Sequence, residues 1–113
     1  MYNGLSMAEV VSDELLIRET QDALDLMADI SCQGVMKIIV YAKNLTPEFF
    51  NLKSKLAGEV LQKFSNYRVQ LAIVGDFSRY ESKSLRDFIY ESNKFRQINF
   101  VSSLEEAIER LAN

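Results

Sequence analysis

Residues 36–75 read MKIIVYAKNLTPEFFNLKSKLAGEVLQKFSNYRVQLAIVG, and their pattern decides the fold. At either end lies a short, nearly continuous apolar run, Met36–Tyr41 and Val69–Gly75. Such runs lack the alternation of a half-exposed strand and suit strands covered on both faces. Between them Thr46 is placed as an N-cap, Pro47 suits the first helical position, and Glu48 sits where the macrodipole favours an acid. Leu45 and Phe50 occupy the two positions of a hydrophobic staple. The spacing of Phe49, Leu52, Leu56, Val60 and Phe64 predicts one helix from Pro47 to about Asn66. Gly58 inside it costs about 1 kcal/mol relative to Ala, and close packing against a neighbouring backbone is the expected reason for it. Two buried strands joined by a helix imply a crossover and a parallel pairing.

Working outward, Asn3-Gly4 is a hairpin-turn dipeptide followed by a strand-like run, Leu5 to Val11. Only Met1 and Tyr2 precede that turn, so either a first strand before Asn3 is missing or replaced, or the turn signal is false. Ser12 to Ile17 reads neither way. From Arg18 to Ser31 the pattern is helical, with Ala23, Leu24, Met27 and Ile30 on one side and Gly34 as a stop. Downstream, Ser84 and Asp87 fit a capping pattern for a helix from Leu85 to about Lys94, with Leu85, Phe88 and Ile89 inward. Gln97–Val101 reads as a last strand. Ser103 and Glu106 form a capping box for a final helix carrying Leu104, Ala107, Ile108 and Leu111. The order is β(β)αβαβαβα. Residues 1–113 are therefore read as a single α/β domain, with a mixed, mostly parallel sheet of four to five strands and helices packed on it.

Composition narrows the chemistry. The 113 residues include no histidine, which excludes Ser-His-Asp and Cys-His catalysis and imidazole-dependent zinc sites. Cys32 is the single cysteine, so no intramolecular disulfide forms. It follows an apolar helical pattern and is expected as a small buried hydrophobe. No stretch resembles a membrane span or a secretory signal, and a soluble cytoplasmic protein is the expectation. The net charge of −3 is uneven. Residues 1–35 carry one base, Arg18, against seven acids, a net −6, and the remainder twelve bases against nine acids, a net +3. Asp22, Asp25 and Asp29 make an acidic helical stripe, which alone does not gather the six or more oxygens of a calcium site. It reads as a solvated or partner-facing surface. Bases alternate with aromatics from Lys63 to Arg96, but a pI near 5.0 and the lack of a binding motif argue against nucleic acid.

The element order resembles the fold of sulfate-transporter and anti-sigma-factor-antagonist domains, the SpoIIAA-like group, in which Ser12-Asp13-Glu14-Leu15 leading to Thr20 sits where strand passes to first helix. Several stretches resemble a small bacterial family known only as a domain of unknown function. They are Gln21–Met27, Leu56–Glu59, Leu61–Arg68, Ala72–Ser78 and Ser82–Phe88. The likeness runs from about Leu5 to Leu111, and it implies a fold but no established activity. Two departures stand out. Antagonists carry an Asp-Ser pair with a phosphorylatable serine where this chain has Asn44-Leu45-Thr46-Pro47-Glu48, so no phosphoswitch carries over. Phe95 stands where that family favours glycine.

Open α/β sheets bind ligands outside the carboxyl ends of their strands. Those ends supply Lys43, Asn44, Asp76, Phe77 and Ser78, and the following helix start supplies Ser82, Lys83, Ser84 and Arg86. Free N–H groups beside Lys83 and Arg86 would suit an anion. With no glycine-rich phosphate loop, no nucleotide, other cofactor or metal is expected. The leading expectation is a non-catalytic regulatory or protein-interaction domain. The alternative is a small-molecule or anion-binding protein using the strand-end crevice, and an enzyme ranks third. A protein partner is expected, together with a homodimer through the sheet edge beside Asn3-Gly4.

Overall fold

A computed structural model describes residues 7–112. The strands are β1 (Met7–Glu9), β2 (Lys37–Tyr41), β3 (Gln70–Val74) and β4 (Ile98–Val101). They pair side by side in the order β1-β2-β3-β4, parallel throughout, with Ala8 opposite Ile38, Ile39 opposite Ala72 and Ile73 opposite Phe100. The helices are α1 (Thr20–Ser31), α2 (Leu56–Asn66), α3 (Lys83–Phe95) and α4 (Leu104–Ala112). The Asn3-Gly4 turn, and the missing-strand question attached to it, lie outside the described residues. No helix among them is long and apolar enough to cross a membrane.

The apolar runs are continuous because both sheet faces are covered. Ile38, Val40, Leu71, Ile73, Ile98 and Phe100 point to one face, where α1, α2 and α3 bring Ala23, Met27, Val60, Phe64 and Leu85. The alternate residues Ile39, Ala72, Val74 and Val101 point to the other, against Ala107 and Leu111 of α4. The one buried polar residue there, Asn99, is fully bonded. Its amide donates to the Leu71 and Arg96 carbonyls, and its Oδ1 accepts from Arg110 Nε at 2.9 Å. At the outer edge of β4 the Asn93 side chain accepts from the Phe100 N–H at 2.7 Å and donates to the Phe100 carbonyl at 3.2 Å.

Four local expectations are corrected. The helix expected from Pro47 to Asn66 is broken into 3₁₀ turns at Pro47–Phe50 and Leu52–Ser54, followed by α2. Asn51 is extended and its Oδ1 accepts from the Lys53 N–H, while Ser54 Oγ donates to the Glu48 and Asn51 carbonyls. These short polar side chains compete with the helical ladder, and Lys55 then turns left-handed at φ 66°. Gly58 does not pack closely on another backbone: a Cβ built there meets nothing within 4 Å. Cys32 is exposed, because it lies two residues, or about 200° of helical turn, past the buried Ile30. The third helix starts two residues earlier than expected. Ser82, not Ser84, caps it, its Oγ accepting from the Leu85 N–H at 3.2 Å.

The remaining ends follow familiar chemistry. Gly34 adopts φ +81° after α1. Ser103 Oγ accepts from the Glu106 N–H, but the Glu106 carboxylate turns to the Ser102 N–H, so only half of the capping box forms. At the start of α1, Asp22 Oδ2 accepts from the Arg18 N–H at 2.9 Å and from Arg18 Nε at 3.3 Å. That backbone bond, with the adjacent guanidinium, holds the Asp22 carboxyl below the usual carboxylate range.

Two stability changes follow. Gly58→Ala should raise stability by about 0.5–1 kcal/mol in urea denaturation, since Ala adds helix propensity and meets no neighbour. A loss of stability would contradict the open surroundings. Asp22→Ala should cost about 1 kcal/mol at neutral pH, a typical capping loss. Because the folded-state pKa of Asp22 is lowered, its contribution is present above the unfolded value near pH 4 and fades as pH falls through the folded one. Wild type and variant melts should therefore converge in acid, and a gap independent of pH would refute the assignment.

Candidate functional site

Three segments meet at the carboxyl ends of the strands. The connection from β1 to α1 crosses over the end of β2, where Ile17 bridges Leu45 in parallel. Asn44, wholly buried, joins them. Its Oδ1 accepts from the Tyr41 N–H at 3.0 Å, and its Nδ2 donates to the Ser12 and Glu14 carbonyls at 2.8 and 2.9 Å. Its own carbonyl accepts from the Leu16 and Ile17 N–H groups at 2.7 and 3.1 Å. Both amide hydrogens are thus engaged within the fold, as burial demands. Beside it Lys43 Nζ donates to Asp13 Oδ1 at 2.8 Å on the surface, and this bond and charge hold the Asp13 carboxyl low.

After β3 the backbone of Gly75 passes so close to the end of β2 that a Cβ there would lie 2.7 Å from that of Ala42. Asp76 Oδ1 then accepts from Ser78 Oγ at 2.6 Å and from the Ser78 N–H at 3.1 Å, which lowers its carboxyl. Ser82 caps α3, and Lys83 Nζ pairs with Asp87 at 2.8 Å, both exposed. Ser84 and Arg86 are exposed on the same helix start. Phe77 turns inward, its ring 5.2 Å from Phe100 in a T-shaped contact.

A crevice of about 450 Å³ opens between these segments, lined by Leu15, Lys43, Pro47, Phe50, Arg79 and Tyr80. Of the residues expected from sequence, Lys43 lines it directly. Asn44, Asp76 and Ser82 are tied up in local bonds, and Lys83, Ser84 and Arg86 are not among its lining. Phe50 and Tyr80 stack at 5.1 Å with ring planes 19° apart. Phe77 lies 6.0 Å from Phe50, and Phe49 is edge-on to Phe50 at 5.3 Å, which carries the stack down into the core. Arg79 holds its guanidinium 5.9 Å from the Tyr80 ring centre, within cation–π range. The sequence signal that could have found this cluster is the placement of Phe49-Phe50 and of Phe77 with Tyr80 just past the ends of adjacent strands.

Two cations line the crevice, Lys43, which is paired with Asp13, and Arg79. Asp13, Asp22 and Asp76 are each held below the usual carboxylate range by the hydrogen bonds they accept, so these groups are ionised at neutral pH. Among the described residues no group of three or more His, Cys, Asp or Glu is gathered to hold a metal ion.

A family model described as Domain of unknown function (DUF4180) matches residues 2–111, and the chain belongs to that family. No curated protein and no solved structure matches it.

Removing the wholly buried Asn44 amide strands two carbonyls and one N–H. Asn44→Ala should therefore cost about 2–4 kcal/mol in urea unfolding. A loss below about 0.5 kcal/mol, the range of ordinary surface substitutions, would show that the amide does not tie the segments together.

Proposed function

We propose that this member of the DUF4180 family is a non-catalytic regulatory domain that binds another protein, with the aromatic crevice at the strand ends as its recognition face. One observation carries the reading. The polar side chains at that end bond to one another or to backbone, whereas the Phe50–Tyr80 stack, Arg79 and the exposed Leu15 and Val11 face outward. Aromatic residues and Arg are the side chains that dominate protein-binding surfaces. We read the fold as SpoIIAA-like, supported by parallel strands laid down in chain order with a helix between each pair. The setting is read as the bacterial cytoplasm, supported by a single unpaired cysteine in keeping with a reducing compartment.

A second reading, an anionic small ligand, is favoured by Lys43 and Arg79 lining the same crevice. A thermal-shift screen of nucleotides, sugar phosphates and simple anions separates the two. A ligand at 100 times its dissociation constant stabilises by about 2.7 kcal/mol, well within detection. The expected outcome is a flat screen, with a protein partner captured by wild type and lost on Arg79→Glu. A shift removed by Lys43→Ala with Arg79→Ala would establish the anion reading instead. A shift removed only by Lys83→Ala with Arg86→Ala would move the ligand to the start of α3.

A further inference from the structure

The opposite, amino end of the sheet carries its own surface. Large apolar side chains stand there just ahead of three successive strands: Met36 before β2, Tyr67 before β3 and Phe95 before β4. They are 42%, 60% and 75% exposed. The starts of these strands lie side by side, since the Gln70 N–H donates to the Met36 carbonyl at 3.0 Å and the Gln70 side chain donates to the Arg96 carbonyl at 3.0 Å. A hollow of about 440 Å³ opens beside them, between Leu24, Asp25 and Ala28 of α1 and the side chains of Met36 and Tyr67.

Charge of both signs lies at this end. On the α1 side lie Asp25 and, four residues nearer the helix end, Asp29. Asp29 opposes the macrodipole there, so it does not serve α1. On the far side lie Arg68 and Arg96, each left-handed, at φ 56° and 61°, directly after Tyr67 and Phe95. Neither guanidinium is ion-paired among the described residues. Acid on α1, exposed apolar side chains ahead of the strands and a base directly after two of them thus share the amino end of the sheet. A two-fold axis through such a face can lay each part on its complement: acid on base, apolar on apolar.

We propose that two copies of the chain pair through this amino-end face about a two-fold axis. Each sets Tyr67 and Phe95 against the other's hollow and Arg68 and Arg96 against the other's Asp25 and Asp29. The pairing leaves the strand-end crevice free, and it uses a different surface from the edge of β1.

Sedimentation equilibrium of the full chain, from micromolar to millimolar concentration, tests the proposal. The expected mass climbs from 13.0 kDa toward twice that value. Phe95→Ser, at an exposed site, should weaken the dimer at least tenfold, as loss of a central aromatic does. Asp25→Lys with Asp29→Lys should weaken it comparably. Adding Arg68→Asp and Arg96→Asp to that same chain should restore it, because Asp tolerates the left-handed conformation and the reversed face is again self-complementary. Circular dichroism of each variant establishes that it is folded. A mass that stays at 13.0 kDa throughout overturns the proposal. So does a dimer unaffected by Phe95→Ser, which would have formed elsewhere, or a folded quadruple variant that fails to pair.

Discussion

The buried amide of Asn44 is the constraint on which the rest of the structure depends. A parallel sheet must carry each strand's exit across one end, and the backbone groups of those exits need partners. Here two exits, from β1 and from β2, run side by side for a few residues and satisfy one another through the Asn44 side chain and carbonyl and through the Thr46 N–H on the Ile17 carbonyl. That arrangement fixes where α1 begins, brings Leu15 to the surface and sets Lys43 outward beside Asp13. The crevice exists because these turns are held closed beneath it.

The two ends of the sheet have diverged in character. At the carboxyl end, polar side chains are consumed in turn and cap geometry, and the surface left over is aromatic. At the amino end, α2 and α3 are followed by left-handed Arg68 and Arg96, and the aromatic side chains just before these, Tyr67 and Phe95, are left facing solvent. The core between is covered unequally: three helices on one face and α4 alone on the other. The lone helix is anchored by polar contacts as well, with Lys37 donating to the Leu111 carbonyl and Arg110 to the Asn93 carbonyl and Asn99. Hydrophobic contact over nine residues would make a narrow seal, and these bonds fix its register.

Much of this was legible in the sequence. Met36–Tyr41 and Val69–Gly75 announced buried strands because continuous Ile and Val runs have few other homes, and Leu104 with Ala107 and Leu111 showed the period of a helix. The break at Asn51 and Ser54 was not read, because the apolar spacing of Phe49, Leu52 and Leu56 continues smoothly through it. The competing signal was two short polar side chains that bond their own backbone. At the crevice, Lys43 was among the site residues read from sequence, and Phe50, Arg79 and Tyr80 were not. Asn44 has the chemistry of a ligand, and only its burial turns it into a structural tie. Phe50 and Tyr80 stack although 30 positions separate them, a distance no local pattern spans.

The Asn93 side chain has a consequence for how far the sheet can grow. By taking both the N–H and the carbonyl of Phe100, it occupies the ladder position that a fifth strand would use. Open-ended stacking of chains strand to strand requires two available borders per molecule. With Phe100 of β4 engaged by an amide that imitates a neighbouring backbone, and Asn93 itself held by Arg110 on its main-chain carbonyl, a further strand cannot pair there without displacing that amide. A side chain on α3 thereby blunts this edge with no charge or proline on the strand itself.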